Sequence, residues 1–109
     1  MAEHSIIKNK KILEFVFNVK RLFKPTVFCL FGSRANKTEM NYSDYDFLIV
    51  SNAFEGISFR DRIDKVLSLI EGFVGADIEP LCYTQNEFNK RKKELGIVNE
   101  AVKTGINLI

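Results

Sequence analysis

Two short apolar runs, TVFCLF at 26–31 and YDFLIVS at 45–51, constrain this chain more than any other feature. Both are rich in β-branched and aromatic residues, the pattern of strands buried in the middle of a sheet. Such strands need covering layers, and the rest of the chain supplies helical patterns to provide them. Residues 6–23 place Ile12, Phe15, Val16, Val19, Leu22 and Phe23 at helical spacing, with Leu13 and Phe17 outside that stripe. Pro25 ends this helix by disfavouring helical geometry at Lys24. Ser58 with Asp61 resembles an N-cap and its partner, and Phe59, Ile63, Val66, Leu67 and Ile70 follow as an amphipathic helix that stops near Gly72.

ADIEPLCYT at 76–84 reads as a third strand, with Pro80 pointing to a sheet edge or to a strand nearing its end. Thr84 and Glu87 form a capping box that opens a helix through about Leu95. After Gly96, IVNEAVKT continues as a short helix that Gly105 stops. The order helix, strand, strand, helix, strand, helix predicts an α/β sandwich in which helices flank a small mixed sheet. With 109 residues and no repeat or linker-like tract, a single domain over residues 1–109 is expected.

Composition narrows the function classes. A formal charge of +2 argues against wholesale nucleic-acid binding. No apolar run approaches the roughly 20 residues that cross a bilayer, so no membrane association is expected. MAEHSIIKNKK lacks the basic, apolar, small-residue order of a signal peptide, and the expectation is a cytoplasmic protein. Cys29 and Cys82 fall inside apolar runs, as buried reduced thiols do.

The chemistry gathers around the two central strands. Asp44 and Asp46 open the second, and period-two alternation sends both to one face while Tyr45 points to the other. Their Cα atoms lie about 6.6 Å apart in an extended strand, close enough to share a hard cation such as Mg²⁺. The same pair also fits a solvated turn at the start of a strand. Gly32 and Ser33 end the first strand, where a backbone without a Cβ, a hydroxyl and an N–H can receive a phosphate, and Arg34 can add charge. Asp77 opens the third strand, with Glu79 two residues on. If that strand neighbours the second, Asp77 completes a carboxylate triad, as a metal ligand or a base. A cap on a loop is the other reading of Asp77.

Taken together, GSRANKTEMNYSDYD followed by FLIV gives Gly-Ser, ten residues, then Asp-x-Asp before an apolar strand. This pattern resembles the nucleotidyltransferase signature of the DNA polymerase β superfamily, and most closely the minimal nucleotidyltransferases. The resemblance implies that Asp44 and Asp46 are the metal pair. Asp77 then takes the third acidic position, with Glu79 the less favoured occupant, and Gly32 and Ser33 hold a nucleoside triphosphate. It implies two Mg²⁺ ions and transfer of a nucleoside monophosphate, AMP from ATP, to an acceptor hydroxyl. The acceptor would sit on a helical HEPN-type partner protein, in a toxin–antitoxin pair. Relatives often carry Arg-Gly where this chain has Asn36-Lys37. That departure leaves open a second role, a binding module that neutralises its partner by occlusion. Transfer to RNA or a small molecule is a third reading. Leu13, Phe17 and the terminal INLI are expected docking surfaces for a partner or a second copy.

Overall fold

The computed structural model describes residues 7, 9–31, 45–70, 72, 77–94 and 96–109. Four α-helices, a 3-10 turn at Asn52–Phe54 and four strands are present among them: α1 (Lys10–Phe23), β1 (Val27–Phe31), β2 (Tyr45–Val50), α2 (Phe59–Leu67), β3 (Ile78–Tyr83), α3 (Gln85–Arg91), α4 (Ile97–Thr104) and β4 (Ile106–Asn107). The strands form one mixed sheet in the order β3-β2-β1-β4. β1 runs antiparallel to β2 and β4, whereas β2 and β3 are parallel. A parallel pair needs a crossover, and α2 provides it.

Local chemistry explains the boundaries. α1 begins at Lys10, later than its apolar periodicity suggests, because extended Asn9 caps it with bonds from the Lys11 and Ile12 amides at 2.9 and 3.3 Å. Lys24 closes it in the left-handed region at φ 46°, outside the right-handed geometry that the following proline disfavours. Ser58 caps α2, and Thr84 with Glu87 forms the expected capping box on α3. Pro80 lies in β3, an edge strand of the described sheet, as its missing N–H requires.

The two faces of the sheet carry separate apolar layers. Phe28, Leu30, Tyr45, Phe47 and Ile49 pack with residues of α1 and α2. Cys29, Phe31, Leu48, Val50 and Tyr83 pack with residues of α3 and α4 on the other side. Phe47 is fully buried and meets Phe15 and Phe28 at ring-centroid distances of 5.3 and 5.6 Å.

The chain end differs from its expected role. Ile106 and Asn107 pair with β1, and Leu108 is fully buried with its amide donating to Phe28 O at 2.8 Å. INLI is therefore largely a sheet edge and core plug, with only Ile109 presenting a large exposed apolar side chain. Leu13 packs partly against the core, whereas Phe17 is 63% exposed.

Arg62, buried on α2, ties three elements together. Its Nε donates to Ile57 O at 2.8 Å, and one terminal nitrogen donates to Cys82 O of β3 at 3.1 Å. The guanidinium also grips Glu87 of α3 bidentately, at 2.6 and 3.1 Å. Glu87 Oε1 in turn accepts from the Thr84 amide at 2.9 Å. The hydrogen bond to Arg62, aided by Thr84 and outweighing partial burial, holds the Glu87 carboxyl below the usual range. A depressed folded-state pKa contributes stability above the unfolded value, and that contribution is lost as pH falls through the folded value. Stability in urea is therefore expected to fall below about pH 4.3, the ordinary glutamate value, and Glu87→Gln should flatten this part of the profile.

Both cysteines are buried and free, as their apolar settings predict. Burial pushes the Cys82 thiol up to about 12, against the opposing charge of Arg62, and raises Cys29 as well. Neither supplies much thiolate near neutrality. Iodoacetamide at pH 8 is expected to leave the native protein unmodified and to alkylate both thiols in urea, read as mass increments.

Candidate active site

Tyr45 is buried against the α1/α2 layer and lies nearly parallel to Phe47, with centroids 6.3 Å apart. Alternation therefore turns Asp46 to the opposite face, with Leu48 and Val50, as the sequence pattern predicts. Register then sets the neighbours of Asp46: Phe31 on β1 and Glu79 on β3. In neighbouring strands roughly 4.8 Å apart, register partners share a face, so two carboxylates stand side by side. Phe31, Asp46, Ile63, Glu79, Pro80 and Leu81 line a cavity of ≈ 310 Å³. Asp46 is half-buried there and Glu79 is exposed.

Asp77 has a different setting. It precedes β3, its side chain is exposed, and its carbonyl accepts from the Tyr45 amide at 2.9 Å. Its backbone thus fixes the start of the parallel pairing, and it is not among the residues lining the cavity. Asp44, Gly32, Ser33 and Arg34, with Asn36 and Lys37, lie outside the described residues. Period-two alternation places Asp77 and Glu79 on one face without ranking them. The β2–β3 register brings Glu79 level with Asp46.

Chemically, the cavity offers hard oxygen donors beside an apolar wall. Two like charges on adjacent strands repel, and a divalent cation would relieve that repulsion. Among the described residues no group of three or more His, Cys, Asp or Glu could hold a metal ion. Asp46 and Glu79 supply two oxygen-bearing side chains suited to Mg²⁺. Among the described residues no helix is long and apolar enough to cross a membrane.

Comparison with known proteins gives this arrangement a context. The model of the nucleotidyltransferase domain matches residues 10–104. A crystal structure from Sulfolobus solfataricus, provisionally described as a nucleotidyltransferase, is similar at 26% identity and a TM-score of 0.58. It covers 80% of this chain and 77% of its own. BolA1 from Arabidopsis thaliana is similar in fold, with 16% identity, a TM-score of 0.56, and 71% and 94% coverage of this chain and its own. No curated protein matches the chain. With most of its length, both central strands and the Asp46 position inside the matched span, the chain belongs to the nucleotidyltransferase-domain family.

Proposed function

We propose that this protein is a Mg²⁺-dependent nucleotidyltransferase that moves AMP from ATP to a hydroxyl on a partner protein. The observation that carries the reading is the pairing of Asp46 with Glu79 over one cavity, in a chain of nucleotidyltransferase family. Asp44, Asp46 and Glu79 would hold the divalent ion, with Asp77 the alternative for the third position. Bound there, the ion supplies charge neutralisation for the triphosphate. Gly32, Ser33 and Arg34 would bind the phosphates through backbone N–H, hydroxyl and guanidinium.

The transfer forms a bond between the acceptor oxygen and the α-phosphorus and breaks the α–β phosphoanhydride, releasing pyrophosphate. Glu79 takes the hydroxyl proton as general base. Positioning and charge neutralisation supply most of the rate in such reactions. A helical HEPN-type toxin is the proposed acceptor, which makes the protein an antitoxin of the cytoplasm. Asn36-Lys37 favours a second reading, in which neutralisation comes from complex formation alone, because Lys37 lacks the bidentate geometry of arginine.

The test is incubation with α-labelled ATP, Mg²⁺ and lysate from the native source, with and without EDTA. Label on a discrete protein that disappears with EDTA supports transfer. With no label from any of the four nucleotides, the binding module becomes the reading.

A further inference from the structure

A second cleft lies farther along β3. Phe59, Tyr83, Glu87 and Arg91 line a cavity of ≈ 400 Å³, a volume in the range of ligand sites. Phe59 and Tyr83 form a tilted aromatic pair at 5.5 Å, and Phe59 is 41% exposed. The Arg91 guanidinium lies over the Tyr83 ring, 5.6 Å from its centroid. Arg91 makes no ion pair among the described residues, whereas the other cleft charges, Arg62 and Glu87, neutralise each other.

Among the described residues, the cleft therefore presents Arg91 as an uncompensated cation on an aromatic floor. Lys90, Lys92 and Lys93 are exposed in the neighbouring sequence but do not line the cleft, and the Lys92 ammonium lies over the Phe88 ring instead, 5.6 Å from its centroid. Tyr83 follows Glu79 by four residues on the same face of β3, a distance of about 13 Å in a strand. A polyphosphate fits this cleft poorly, because the Glu87 carboxylate forms part of the wall and the guanidinium over Phe59, that of Arg62 at 6.0 Å from the ring centroid, is already paired with it. An aromatic side chain flanked by a carboxylate matches both the rings and the single charge.

We infer that this cleft docks an acidic, aromatic-bearing segment of polypeptide. Resting on the protein-acceptor reading above, it holds the acceptor about 13 Å along β3 from the Asp46–Glu79 pair. The segment places its ring against Phe59 and its carboxylate on Arg91.

The experiment titrates the ¹⁵N-labelled protein with acetyl-Glu-Phe-Glu-amide and with acetyl-Gln-Phe-Gln-amide. The acidic peptide should shift the amides of Phe59, Tyr83 and Arg91 and bind roughly fivefold tighter, the upper range for an exposed ion pair. Arg91→Gln, at an exposed position, should remove the preference and keep the rest of the spectrum. Phe59→Ala should weaken both peptides. Equal binding of the two peptides, shifts confined to other surfaces, or stronger shifts of these amides by AMP or an oligonucleotide would overturn the inference. In the labelling assay the acidic peptide should slow transfer to the protein acceptor. Absence of any labelling would count against the catalytic reading, while the titration still decides what the cleft binds.

Discussion

Asp46→Asn is expected to lower nucleotidyl transfer by on the order of 10²-fold or more, the scale seen when one electrostatic stabiliser leaves an active site. Asparagine keeps the size of the side chain and removes the charge that would hold a divalent ion. Asp46 is only half-buried, and its loss removes one of two like charges on neighbouring strands. A thermal midpoint measured alongside the assay separates lost chemistry from lost fold. The third carboxylate is decided by the same assay. Glu79→Gln should be nearly as severe as Asp46→Asn, whereas Asp77→Asn should retain most activity, because its backbone carbonyl does the observed work. The reverse order would return the third position to Asp77.

The largest effect on stability is expected at Arg62. Arg62→Ala removes donors from Ile57 O and Cys82 O and leaves Glu87 without its partner, in one step. Leaving a polar partner without its donor costs about 1–3 kcal/mol for each buried group, and together these losses are a large share of the roughly 5–15 kcal/mol that holds a domain folded. Glu87→Ala should cost less, about 1.5–3 kcal/mol, since the Glu87 side chain is 41% exposed and water replaces part of what is lost. Urea titrations of both variants check the order. Equal, small shifts would show that the network contributes little.

The legible part of the fold was carried by local chemistry. Val27–Phe31 and Tyr45–Val50 announce themselves through β-branched and aromatic residues, Thr84 with Glu87 through the capping box, and Pro80 through its edge position. What escaped depends on long-range geometry. Ile106–Asn107 is too short to show a period, yet it pairs with β1. Arg62 reads as part of the polar face of FRDRIDKVL, and only tertiary packing shows that it is buried against β3. For the site, alternation alone turns Asp46 away from Tyr45. That Glu79 stands level with Asp46 depends on the register of two strands separated by a helix, which no local pattern encodes.

The bond from Arg62 to Cys82 O has a consequence for how this protein behaves at high concentration. A parallel edge strand normally leaves every second residue with backbone groups facing outward, a template on which another chain can polymerise. On β3 the Tyr45 amide bonds Asp77 O and the Ser51 amide bonds Tyr83 O, so the even-numbered residues between them face the rim. Pro80 offers no donor there, and the Cys82 carbonyl is already taken. At the other rim, β4 spans only two residues. The sheet is thus protected against cross-β growth on both sides, and association with other proteins is directed to side-chain surfaces.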